Sequence, residues 1–237
     1  MKNSDIASGV AAVVIEANLK GRAANTAADP YTVVLPAITI DKNDDADSGW
    51  GKVNTAVKNA QRYVILDLSG CTFTGNEVIG CFGHTGISII KDNKYIKGIN
   101  LPGSLTSIGN YAFWGCFELT SVTIPASITS IGDGAFHNCI TFTSVSIPAG
   151  VTSIGKAAFY NCFKLTGVTI PASVASIGDE AFRNCAALTS VTFEGGGMTG
   201  AGFNNGAFPG ADLYTAYQSG GAGVYTRPAG GSAWTKQ

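Results

Sequence analysis

The fold class predicted by the sequence is an α/β solenoid, a right-handed stack of short coils with a parallel β-sheet on its concave side and irregular or 3₁₀ turns on its convex side. Three observations predict it. Pro102, Pro125, Pro148 and Pro171 lie 23 residues apart, and so do Gly109, Gly132, Gly155 and Gly178. Phe113, Phe136, Phe159 and Phe182 keep the same interval, as do Cys116, Cys139, Cys162 and Cys185. Before Pro125 the residues Ser121, Val122, Thr123 and Ile124 alternate small polar with apolar, the period of a half-buried strand. Four residue types in one register mark an internal repeat, and a repeat of this size reads as a stack of supersecondary units.

Each unit opens with the strand. Leu119, Val122 and Ile124 recur as Phe142, Val145 and Ile147, as Leu165, Val168 and Ile170, and as Leu188, Val191 and Phe193. Ile96, Ile99 and Leu101 form an earlier copy. The following proline lacks an N–H donor and ends the strand. A return segment brings Ile128 and Ile131 inward, Gly132 permits a tight turn, and Ala135 and Phe136 fill the opposite wall. One such unit cannot close its own core, so neighbours must stack on it, with strands at about 4.8 Å spacing.

Both ends of the stack need covering. Residues 1–62 carry helical patterns near 8–20 and 50–60, the second on Trp50, Val53 and Val57, and a strand at Tyr31 to Leu35; they are expected to form an N-terminal helical cap. Residues 63–193 form the solenoid, clearest over 96–193. Residues 194–237 are expected to form a small C-terminal cap. There Ala207 and Phe208 echo the repeated Ala-Phe three residues late, with a short helix at 212–218 and strands at 224–227 and 233–236 following.

Composition excludes several classes of function. Hydrophobic residues make up 45% of the chain, enough for a sizeable core, and charged residues only 13%, about half the usual share. With 15 basic and 16 acidic residues there is no excess positive charge to track nucleic acid. No run approaches the roughly 20 apolar residues that span a bilayer. The start of the chain departs from a signal peptide, because Asp5 and Glu16 flank or interrupt its apolar stretch; an amphipathic helix over Ser8 to Lys20 is the preferred reading.

Candidate chemistry is sparse. The stretch from Asp41 to Lys52 has the acidic alternation of a calcium loop, yet Ala46 stands where glycine is needed and Lys52 where a bidentate glutamate is needed. It reads as a solvated acidic loop. The cysteine column lacks the paired spacing of a zinc site, so no metal or other cofactor is expected. Its members are read as small buried thiols capping turn carbonyls, with parallel Cβ directions that oppose disulfides between coils. Cys71 and Cys81 are out of register and leave a local pair open. His137 lies two residues from Cys139, but coil geometry should bury the thiol and turn the imidazole outward; His84 has no evident partner. No catalytic motif is present, so no enzyme activity is expected.

The unit LTSVTIPASITSIGDGAFHNC at 119–139 resembles the BspA-like, or treponemal, class of leucine-rich repeats. NTAADPYTVVLP at 25–36, YVILDLSGC at 63–71 and YIKGINLP at 95–102 resemble the N-terminal cap of treponemal members, and residues 216–237 resemble their C-terminal tail. The resemblance implies secreted or cell-surface bacterial proteins, discussed as adhesins for host matrix proteins or other cells, with no catalytic residue or cofactor. The interval from Leu68 to Leu101, longer than one period, departs from the pattern.

Comparing the copies locates a candidate binding surface. The concave positions Ser121, Thr123, Ser144, Ser146, Thr169, Ser190 and Thr192 are uniformly small hydroxyls, with Gly167 the exception. Positions beside each cysteine vary instead: Trp114, His137, Tyr160 and Arg183 form one column, and Phe117, Ile140, Phe163 and Ala186 the next. A third reads Glu118, Thr141, Lys164 and Ala187. Drift at solvent-facing positions is one reading; drift usually yields polar residues, however, and aligned aromatics with arginine match interface anchors. The candidate ligand-binding residues are therefore Trp114, Phe117, His137, Ile140, Tyr160, Phe163 and Arg183. The expected partner is a protein, from host matrix or a cell surface, or alternatively a glycan, bound by a monomer. A self-associating structural module of the surface is the competing reading.

Overall fold

A computed structural model describes residues 18–26, 28–35, 39–40, 49–73, 77–78, 93–195, 198, 202–203, 206–210 and 212–237. Its elements in chain order are β1 (Tyr31–Val34), β2 (Thr39–Ile40), α1 (Gly49–Ala60), β3 (Val64–Asp67), β4 (Thr72–Phe73), β5 (Glu77–Val78), β6 (Ile96–Asn100), β7 (Ser107–Ile108), β8 (Ser121–Thr123), β9 (Ser130–Ile131), β10 (Ser153–Ile154), β11 (Gly167–Ile170), β12 (Ser176–Ile177), β13 (Ser190–Phe193), α2 (Leu213–Gly220), β14 (Gly223–Thr226) and β15 (Thr235–Lys236).

The strands that open successive coils pair in parallel, in the order β1-β3-β6-β8 and then β11-β13. Between the two runs the coil of Val145 keeps only an isolated bridge to Val168. The reason lies in the residue that precedes the strand. Where neighbouring coils bury Leu119 and Leu165, this coil buries Phe142, whose ring lies 5.4 Å from Phe136. The larger ring spreads the start of this strand from both neighbours, while the convex side of the same coil keeps bonds of 2.8–2.9 Å to them, Thr152 N–H to Thr129 O and Ala175 N–H to Thr152 O. The bonds Thr143 N–H to Thr120 O and Thr166 N–H to Thr143 O lengthen to 3.3 and 3.4 Å, against 2.8 Å for Thr120 to Lys97 and 3.0 Å for Thr189 to Thr166.

The convex side differs from the expected irregular or 3₁₀ path. The return segments form a second parallel sheet, β5-β7-β9-β10-β12, in which each coil contributes two residues. The turns beyond it are not 3₁₀ helices among the described residues. Left-handed residues bracket each turn: Tyr111 and Gly115, Gly134 and Asn138, Ala157 and Asn161, Glu180 and Asn184. That reversal breaks a 3₁₀ run and aims alternate N–H groups along the stack. Phe113, Phe136 and Phe159 donate to Ala135, Ala158 and Ala181 of the next coil at 2.6–2.7 Å.

The core fills the space between the two sheets and the turns. Phe113, Phe136, Phe159, Phe182 and Phe208 stack in one file at 4.8–5.1 Å between ring centres. Phe208 re-enters the file although it comes three residues late, and Phe182 N–H donates to Ala207 O as its predecessors do to theirs. Each fully buried Phe, Leu or Ile contributes roughly 1.5–3 kcal/mol, realised only when the adjacent coil covers it.

At the N-terminal end Val53, Ala56, Val57 and Ala60 of α1 lie buried against the first coils. The expected helix over 8–20 is described only at 18–20, which is helical, and the loop 41–48 lies outside the described residues. At the other end β14 pairs antiparallel with β13 and β15 with β14, which stops the parallel register. Arg227, 7% exposed, locks this hairpin down. Its Nε donates to Leu188 O at 2.7 Å and its Nη2 to Cys185 O and Ala186 O at 3.2 Å.

Candidate functional site

The turns on the convex side deliver the variable columns to one lateral face. Asn138, Asn161 and Asn184 supply left-handed φ at their turns, a conformation asparagine tolerates better than most residues. Their side chains also join the coils: Asn161 Nδ2 donates to Asn138 Oδ1 at 2.7 Å and Asn184 Nδ2 to Asn161 Oδ1 at 3.0 Å. Directly beside this ladder stand the ring residues.

The structure brings most of the expected residues together. The rings of Trp114 and His137 lie 6.2 Å apart at 13°, and those of His137 and Tyr160 4.9 Å apart at 8°. All three are half-buried. Arg183, exposed, ends the row and pairs with Glu180. In the next column Phe117 and Ile140 are half-buried, while Phe163 is 44% exposed and Ala186 is exposed. Because the rings cover one another's faces, the row presents mainly their edges to solvent, and an aromatic edge is its electropositive part. Burial holds the His137 imidazole below its usual pKa, against a smaller opposite pull from Glu180, and its Nδ1 is buried without a hydrogen-bond partner. Neutral imidazole is the form this environment favours.

His137 and Cys139 do not form a dyad. The thiol of Cys139 is fully buried and donates to Phe113 O at 3.1 Å, while the imidazole lies in the lateral row. Cys162 and Cys185 donate likewise to Phe136 O at 3.3 Å and Phe159 O at 3.1 Å. Burial pushes the Cys139 and Cys162 thiols up, so they stay protonated donors that satisfy turn carbonyls. Cys71 is buried, and Cys81 and His84 lie outside the described residues. Among the described residues no cluster of three His, Cys, Asp or Glu is placed to hold a metal ion.

Two features escaped the sequence. Tyr111 is 44% exposed and adopts φ +59°, where equivalent turns use Gly134, Ala157 and Glu180. Its ring lies over Gly134, whose added Cβ would stand 2.5 Å from it. A bulky residue in that conformation next to the ring row extends the aromatic surface. The second is the contact of Tyr63 with Tyr95, the residues preceding β3 and β6, whose ring centres lie 5.5 Å apart. The 32-residue interval between Tyr63 and Tyr95 was its available signal.

Comparison with known proteins fits this architecture. The profile described as "BspA type Leucine rich repeat region" matches residues 89–210 in six copies. No curated protein sequence matches the chain. Among solved structures, a leucine-rich repeat protein from Bacteroides ovatus is 35% identical over 45% of this chain and 27% of its own, with a TM-score of 0.42. The T. pallidum leucine-rich repeat protein is 25% identical over 68% of this chain and 58% of its own, with a TM-score of 0.43. A leucine-rich cell surface protein from Faecalibacterium prausnitzii is 23% identical over 70% and 48%, with a TM-score of 0.38. The chain thus spans between about a quarter and three fifths of the length of these three proteins. No helix among the described residues is long and apolar enough to cross a membrane. With more than half its length matched by that profile and the repeat realised as stacked coils, the chain belongs to the BspA-type leucine-rich repeat family.

Proposed function

We propose that this protein is a non-catalytic binding module of the bacterial cell surface or secreted fraction, adhesin-like, and that it recognises a macromolecular partner, preferentially a protein, through its lateral face. Residues 1–62 and 194–237 act as caps, and residues 63–193 carry the recognition surface. One observation carries the reading: Trp114, His137 and Tyr160 form a stacked, half-buried row ending in exposed Arg183. Mutual stacking fixes the rings, so little side-chain entropy remains to be lost when a partner covers them. Aromatic and arginine side chains of this kind dominate binding energy where a partner excludes water. Phe117, Ile140 and Phe163 surround the row with apolar area. The concave face, by contrast, presents small hydroxyls, some already engaged with neighbouring side chains, as in the 2.8 Å bond from Thr123 Oγ1 to Asn100 Oδ1.

The test is the triple replacement of Trp114, Tyr160 and Arg183 by alanine. Binding to immobilised matrix-protein preparations should fall by about 2–4 kcal/mol in free energy while circular dichroism stays unchanged. Undiminished binding by a folded triple variant removes this face from the reading. Light scattering across concentration checks the rival self-association, which alone raises the mass.

A further inference from the structure

In the ring row His137 is the member whose charge changes just below neutral pH. Its imidazole is held from both sides, by Tyr160 at 4.9 Å and 8° and by Trp114 at 6.2 Å and 13°. Stacking fixes the plane of the ring and with it the surroundings of its nitrogens. Nδ1 is buried and has no hydrogen-bond partner. A neutral ring meets this by keeping the lone pair on Nδ1 and the proton on Nε2. An acceptor without a partner costs less there than a charged N–H without one.

The charged and titratable groups around it come from four turns. Its own turn carries Asp133, whose carboxylate accepts from Lys156 N–H at 2.7 Å, and Cys139, whose thiol points inward to Phe113 O. The preceding turn brings Tyr111, the following one Lys156 and Tyr160, and the next Asp179, Glu180 and Arg183. Glu180 is the carboxylate whose charge reaches the imidazole, and it is paired with Arg183. Glu180 and the two ring faces favour a cation. Loss of water from the ring opposes them and prevails, since the pKa lies below 6.5.

We propose that His137 makes the lateral face a pH-gated binding surface, with the row closed while the imidazole is neutral and broken once it is protonated. This regulation rests on the lateral face being the one that binds. Protonation adds an N–H at Nδ1 that meets neither water nor an acceptor. Rotation of the side chain outwards supplies the water and takes the middle ring from the row, which leaves Trp114 and Tyr160 two coils, about 10 Å, apart. A partner over the closed row strips the remaining water from the imidazole. Bound partner therefore disfavours the proton, and by reciprocity the proton weakens the partner. A single proton limits the effect to about tenfold in affinity per pH unit.

Two measurements on the full chain test this. Without any partner, tryptophan emission is followed from about pH 7.5 to about pH 5 in the native chain and in His137→Phe, which keeps a ring in the row that takes up no proton. The native chain should show a titration below pH 6.5 that the variant lacks, because Trp114 stacks on residue 137 while Trp50 and Trp234 are common to both chains. Affinity for the immobilised matrix-protein preparations is then measured over the same range. It should fall about three- to tenfold in the native chain and stay level in His137→Phe, whatever the variant's starting value. His137→Gln serves if the phenylalanine chain fails to fold. An emission without a His137-dependent titration overturns the gating, and so does native-chain binding that is level or strengthens in acid. A titrating chain that binds no preparation at about pH 7.5 overturns the binding role of the face, and the gating with it, while the opening of the row stands.

Discussion

Gly155 shows how close the coils run. A Cβ there would stand 2.5 Å from the amide nitrogen of Asp133 and from the carbonyl carbon of Gly132 in the preceding coil. Backbone atoms cannot yield as a flexible side chain would, so Gly155→Ala should cost about 1–3 kcal/mol in urea unfolding. This explains a glycine at each 23-residue step better than turn conformation does, since Gly155 is not among the glycines at positive φ. His137 acts at the same scale through protonation. Its folded pKa is depressed from 6.5, chiefly by burial, so the unfolded chain binds the proton more readily. Stability should therefore be fully present above pH 6.5 and fall as the pH drops from there towards the folded pKa. His137→Asn should flatten that acid-side decline in unfolding midpoints measured by pH. A decline of unchanged slope would assign it to other groups.

Among the elements, the weak point is the coil of Phe142. Its flanking main-chain bonds are the long ones, and its strand shrinks to one bridge. Native-state hydrogen exchange should find the amides of Thr143 and Thr166 less protected than those of Thr120 and Thr189. Equal protection would mean that Phe142 does not wedge the sheet. The concave strands were legible because Val122 and Ile124 alternate with Ser121 and Thr123. The convex strands were not, because two residues such as Ser130 and Ile131 are too few to display an alternation. The candidate site divides in the same way. The columns of Trp114 and Phe117 could be read from the 23-residue period, whereas the contact of Tyr63 with Tyr95 could not, because those two lie 32 residues apart and outside that period.

For the whole molecule, nearest-neighbour stacking makes the ends decisive. A solenoid's stability is roughly a sum over coils and the interfaces between them, so an uncovered end frays inward. Arg227 holds the C-terminal hairpin to three carbonyls of the last coil, Leu188, Cys185 and Ala186. Arg227→Met would leave the buried Leu188 O without this donor, at about 1–3 kcal/mol, while Cys185 O keeps the Leu188 N–H. The urea midpoint should fall, and exchange protection should be lost across β13, β14 and β15 before β9 and β10. Uniform loss along the stack would show a more cooperative molecule than the coil-by-coil contacts imply.

The sequence by itself determined that coils repeat, which residues face inward, and which columns vary, because identical spacing forces identical residues into identical places. It also carried the late Ala207 and Phe208, whose return to register needs only that a coil tolerate three extra residues. The tertiary structure alone decided that Trp114, His137 and Tyr160 stack face to face, and that Lys97 turns to Glu118 at a bulge. Those facts depend on where side chains from separate coils meet. A one-dimensional period specifies the rung on which a residue stands, but not which charge or ring it finds beside it.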